Sequence, residues 1–203
     1  MVFQAMELIR RNLNTFLTGG ATVTPDPVIL GNIAYATPDT VGTPPDESAQ
    51  VYLSLVNVEE EQTLKNISSI RSSDIRPFAY VNPPLVINLF LLFTANHKDY
   101  NMAIQNLSQI LLFFQGNKTF TIATTPVAST GVFATLEENE NRIKVNVDLM
   151  SLTFEQVNHL WGSLGGKQMP FLLYKARQVE IDADRMLQGG GRIEEIQVDH
   201  QIV

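Results

Sequence analysis

Cysteine is absent from this 203-residue chain, so neither a disulfide framework nor a thiolate metal site can be built from it. Histidine is scarce. His97, His159 and His200 stand in separate contexts, with no His or carboxylate at i+4 on a predicted helix face, so a metal centre is not expected. Positive charge is also in short supply: 14 Lys and Arg face 21 Asp and Glu, for a net charge of -7. Binding to a phosphate backbone relies on clustered cations that displace counterions, so nucleic acid is not an expected partner. An acidic balance by itself signals solubility. Long hydrophobic runs are missing too. The most apolar stretch, Leu85 to Phe93, falls well short of the roughly 18 residues that a membrane-spanning helix needs. The opening residues, Met1 to Arg10, lack a basic start followed by an uninterrupted apolar core, so synthesis in the cytoplasm is the expectation. Without a secretion signal, the tripeptides Asn66-Ile67-Ser68 and Asn117-Lys118-Thr119 read as chance matches to a glycosylation acceptor.

The arrangements that enzymes use are missing as well. No nucleophile stands with a base, and no catalytic residue or cofactor-binding loop is assigned. Glu59-Glu60-Glu61 would point in different directions along a strand or helix, which suits a solvated strand end better than a cation site. Glu180, Asp182 and Asp184 alternate, yet Ca²⁺ requires more oxygen ligands and a turn glycine. Gly189-Gly190-Gly191-Arg192 imitates an anion loop, but no Lys-Ser/Thr follows, and a linker is the simpler reading.

What the chain does have is apolar patterning. At 44% hydrophobic residues, it can bury roughly 70% of the surface that its unfolded form exposes, enough for one independent core. Phe3, Met6, Leu8, Ile9, Leu13, Phe16 and Leu17 fit one broad helical face, with Arg10, Arg11 and Asn14 mostly outside it and Gly19-Gly20 as the stop. Residues 28–34 read as a short strand interrupted by Gly31. Residues 36–48, rich in Pro and small polar residues, read as a surface arm. Val51 to Val58 is a strand, and an edge strand is expected around Ile75 to Val81.

In Leu85 to Phe93 both alternating faces are apolar, so this strand should be covered on both sides. Tyr100, Ile104, Leu107, Leu111 and Phe114 then form a helical stripe that Gly116 ends. Thr119 to Thr125 is a strand candidate, and Ile143, Val145, Val147 and Leu149 alternate with polar residues as a strand with one wet face. Thr153 and Gln156 spell a capping box, with Leu152 and Val157 as its staple; Phe154, Val157, Leu160, Trp161 and Leu164 form the stripe of the helix that follows. Trp161 reads as core, with an interface anchor as the alternative. Residues 171–181 return as strand.

The order of elements implies an α+β fold: a mixed β-sheet with about three helices packed largely on one face. One domain is expected over 1–188, followed by a flexible C-terminal arm over 189–203. Beyond its glycine joint at Gln188-Gly189-Gly190-Gly191, the arm carries Ile193, Ile196 and Val198, which are candidates either for packing back or for assembly contacts by strand addition.

A family resemblance enters in the middle of the chain. The proline pair at 83–84, the apolar strand, "LFTAN", "KDYNMAIQNLSQIL" and "FFQGN" follow the order seen in phage-tail-like proteins, and "LTFEQVNHLWGSLGGKQMPFLLYKARQVEID" at 152–182 extends the likeness. The chain resembles the tail terminator, or cap, proteins of extracellular contractile injection systems of the antifeeding-prophage and virulence-cassette type. That resemblance implies a phage tail-terminator-like fold and a non-enzymatic structural role as a homo-hexameric ring. Such a ring ends the inner tube and sheath, fixes particle length and becomes part of an assembled injection particle. The alternatives are another tail component, such as a tube-sheath adaptor or baseplate protein, and a small-ligand-binding domain.

Overall fold

The computed structural model describes residues 2–35, 50–62, 70–71, 78–81, 85–97, 99–122, 143–165, 167–181 and 186–190. The described elements, in chain order, are helix α1 (Val2–Leu17), strand β1 (Val28–Leu30), a single 3₁₀ turn (Ile33–Tyr35), β2 (Gln50–Glu60), β3 (Ile70–Arg71), β4 (Phe78–Val81), β5 (Leu85–Asn96), α2 (Tyr100–Gly116), β6 (Thr119–Thr121), β7 (Lys144–Leu149), α3 (Phe154–Ser163), β8 (Phe171–Ile181) and β9 (Met186–Gly190). A six-stranded sheet runs in the order β1-β2-β5-β8-β7-β6, and a three-stranded sheet in the order β3-β4-β9. The larger sheet is mixed: β1 pairs parallel with β2, and its other pairs are antiparallel.

The apolar strand expected from the sequence is the third strand of that sheet, covered on both faces. Ile87, Leu89, Leu91, Phe93 and Ala95 belong to the main core with α1 and α2, whereas Phe90 and Leu92 belong to a second cluster with Leu160 and Leu164 of α3. Two helices thus pack on one face and the third on the other. Antiparallel pairing shifts between Leu55 and Asn57 on β2, and again between Ile87 and Leu89 on β5, as bulges do. Bulges bend strands and increase twist. The sheet curls accordingly, and α1 touches both edge strands, β1 and β6. Aromatic rings close the centre: Phe114 lies 4.4 Å from Tyr174, and Phe113 lies 5.0 Å from Phe114.

Several expectations need correction. Asn14 is buried on α1, whereas Phe3 and Phe16 are exposed. β1 stops at Leu30 rather than continuing to Ala34. A Cβ on Gly31 would lie only 2.9 Å from Tyr52 Cδ1, so the chain crosses this ring where only glycine fits without a shift. The Ser54 hydroxyl donates to the Gly31 carbonyl at 2.6 Å and accepts from the Ile33 N–H at 3.1 Å, which holds the turn that follows.

On α2 the buried residues are Ala103, Leu107, Ile110, Phe113 and Phe114; Tyr100, Ile104 and Leu111 of the expected stripe are exposed. Both sets obey helical spacing, because apolar residues cover a wide arc of this helix. On α3 the capping box is present, with Thr153 N–H donating to Gln156 Oε1 at 2.9 Å and Gln156 N–H donating to Thr153 Oγ1 at 3.3 Å. Phe154, however, points into solvent rather than into the stripe. β4 is the middle strand of its sheet rather than an edge, and Gly190, Gly189 and Gln188 pair with Phe78, Ala79 and Tyr80. The reading of a flexible glycine joint is therefore corrected for those residues, which are paired strand.

Candidate assembly surfaces

The expected assembly residues Ile193, Ile196 and Val198 lie outside the described residues, as do the loop at 36–48, His200, Asp182 and Asp184. The described surface has two other apolar features. The first is a groove beside α2, on the face of the sheet that bears α1 and α2, with a volume of about 620 Å³. Phe114, Val147 and Tyr174 form its floor, and Leu111, Leu112 and Leu149 its walls. Leu112 is 58% exposed and Leu149 54% exposed. Leu149 shares the inward alternation of Val145 and Val147, yet beside α2 it is left exposed and lines the groove. Lys118 and Asp148 stand at its rim. Asp148 is paired with Arg177 at 3.1 Å. Burial pushes the Tyr174 phenol up to about 12.

The second feature is Phe154, the first residue of α3, which is 97% exposed. Trp161, two turns later, is buried and packs against Phe171 with ring centroids 5.5 Å apart, so the core reading of Trp161 holds. Glu155 follows Phe154 in the exposed first turn.

A polar cavity of about 340 Å³ adjoins α1. Its arginines are already engaged. Arg10 donates to Glu7 at 2.7 Å and to Asp26, and Arg11 donates to Glu7 at 2.8 Å. Burial alone would raise the Glu7 carboxyl pKa, but the two guanidinium groups outweigh it and hold the pKa below its ordinary value. Glu7 and Asp26 in turn raise that of Arg10. The cluster is built to join α1 to the segment before β1 and leaves little charge for a ligand.

His97 hydrogen-bonds Asn106 at 2.9 Å, and His159 does have a carboxylate one turn away, Glu155 at 3.7 Å, contrary to the sequence reading. Of the acidic run, Glu61 accepts from Asn88 at 2.7 Å and Glu59 pairs with Lys175 at 3.7 Å. No group of three or more metal-ligating side chains occurs among the described residues. Among them, too, no helix is long and apolar enough to cross a membrane.

A curled mixed sheet with α1 and α2 on one face and α3 on the other is an α+β architecture. The chain belongs to the family defined by the Pvc16 N-terminal domain, whose model matches residues 4–195. No curated protein matches it by sequence. Two cryo-EM structures share the fold. One is the PVC sheath/tube terminator of an extracellular contractile injection system in its extended state. It aligns with a TM-score of 0.63 and 13% identity, over 100% of this chain and 64% of that one. The other is the tube terminating cap of the anti-feeding prophage, which aligns with a TM-score of 0.61 and 12% identity over 98% and 62% of the respective chains. The chain thus spans somewhat less than two thirds of the length of either structure.

Proposed function

We propose that this protein is a structural cap of a contractile injection system. In this reading copies of the chain close into a ring, six in number by family resemblance, at the end of the inner tube and sheath. The observation that carries it is membership of the Pvc16 N-terminal domain family over residues 4–195, on a fold shared with two terminators of such particles. The mechanism is geometric and not enzymatic. A contact between unlike surfaces of identical copies closes after a fixed rotation, and the closed ring leaves no site for another layer, so particle length is set where the ring binds. The partners are the tube and sheath proteins and further copies of the chain. Synthesis is cytoplasmic and the mature location is the assembled particle.

Deletion of the gene from the particle's cluster should give tubes and sheaths of irregular length by negative-stain microscopy, restored by the wild-type chain. Particles of unchanged length without the protein, or label on the protein found only at the baseplate end, would sink the cap reading and favour a different tail component.

A further inference from the structure

We propose that Phe154 of one copy seats in the groove between α2 and β7 of the next copy, with Glu155 beside it reaching Lys118 on the groove rim. This contact rests on the ring reading above and supplies its subunit interface.

Phe154 and the groove match in shape, charge and position. An almost fully exposed phenylalanine is costly to keep in water, and the capping box fixes the helix start that presents it. The groove offers about 620 Å³ walled by Leu111, Leu112 and Leu149, ample for a phenyl ring. Aromatic side chains in apolar pockets are the usual energetic centres of such contacts. Charge also selects the partner. The chain carries a net -7, so two copies repel at long range and need a local match to dock. Lys118 has no ion-pair partner among the described residues, while Asp148 on the same rim is neutralised by Arg177. Glu155, 84% exposed at its side chain, stands next to Phe154 in the sequence.

Position decides the symmetry. α3 packs on the sheet face that bears Leu92 and Leu173, whereas the groove floor, Val147 and Tyr174, belongs to the opposite face. A protruding residue on one layer and its receptor on the other give a head-to-tail contact, the kind that closes rings rather than pairing two copies about a twofold axis.

The test exploits the absence of cysteine. Particles carrying the double variant Phe154→Cys/Leu112→Cys, mildly oxidised, should give a ladder of disulfide-linked multimers on a non-reducing gel, whereas either single variant should give monomer alone. Both positions are exposed, so the fold should survive, as a circular dichroism melt of the variant will register. As a second measurement, Lys118→Glu should raise the concentration needed for half-assembly of the purified chain by about tenfold, and adding Glu155→Lys should restore it. Capped particles of normal length without the ladder overturn this contact and leave the cap reading standing. Cross-linked dimers from Phe154→Cys alone indicate a twofold contact and overturn it too. Failure of the wild-type chain to appear on particle ends at all overturns the cap reading itself.

Discussion

The side-chain amide of Asn14 pairs with both main-chain groups of Val28: its Nδ2 donates to the Val28 carbonyl at 2.9 Å, and its Oδ1 accepts from the Val28 N–H at 2.8 Å. β1 is an edge strand whose Pro27 and Gly31 groups bond to β2, so the groups of Val28 face away from the sheet. Asn14 takes the place of the missing neighbouring strand and satisfies an edge that would otherwise be open. Replacing Asn14 with Ala should cost about 1–3 kcal/mol, because the buried Val28 N–H loses its partner and the Val28 carbonyl keeps only the longer bond from Arg10 Nη1, at 3.5 Å. Asn14→Leu, similar in size, should cost as much. Denaturant melts check this, and a neutral Leu variant would mean that packing rather than pairing holds α1 on β1.

Glu7 adds a pH dependence to the same helix. Its carboxyl pKa is held below the ordinary value, so the unfolded chain takes up its proton first as pH falls. The stability it contributes is complete above the unfolded value of about 4.3 and is lost as pH drops through the lower folded value. Glu7→Gln should therefore melt lower than wild type at neutral pH, with the gap closing toward pH 3 in thermal melts. A constant gap would mean that the charge of Glu7 is not what joins α1 to Asp26 through Arg10.

The corrected face of α2 separates two otherwise similar leucines. Leu107→Asp should abolish soluble folding, since it places an unpaired carboxylate in the main core, as should Leu89→Asp on β5. Leu111→Asp should change stability by under about 1 kcal/mol, because Leu111 is partly in water already. Expression and melting of the pair decide which stripe is buried.

Thr153→Ala should cost about 0.5–2 kcal/mol by removing the side-chain oxygen that accepts from Gln156 N–H, and Gln156→Ala should cost part of the same energy. Amide exchange in the first turn of α3 should quicken in both variants. Unaltered exchange would show that packing of Trp161 and Leu160 alone fixes the helix start.

Much of this fold was legible in the residue order. The span Leu85 to Phe93 carries apolar side chains on both alternating faces, and only a strand covered on both sides satisfies that. Thr153 and Gln156 spell a local hydrogen-bond exchange that needs no distant partner, and Gly19 and Gly20 adopt the positive φ values that end α1. The central and C-terminal blocks also carry the family resemblance that the match to the Pvc16 N-terminal domain bears out. Such signals are short-range, so the sequence by itself determined them.

The tertiary structure decided which side of each element meets which neighbour. Two overlapping stripes on α2 satisfy helical spacing equally, and the curled sheet selects Ala103, Leu107, Ile110 and Phe114. Asn14 looks like a solvent residue until β1 presents Val28 to it. Phe154 fits the apolar pattern of α3, yet it lies in water because the second cluster gathers residues farther along the helix, Leu160 and Leu164. The groove beside α2 has the same origin: Phe114, Val147 and Tyr174 come from separate stretches of chain, and only sheet pairing and helix docking bring them to one floor. Periodicity reports that a face is apolar; what covers it depends on contacts between elements distant along the chain.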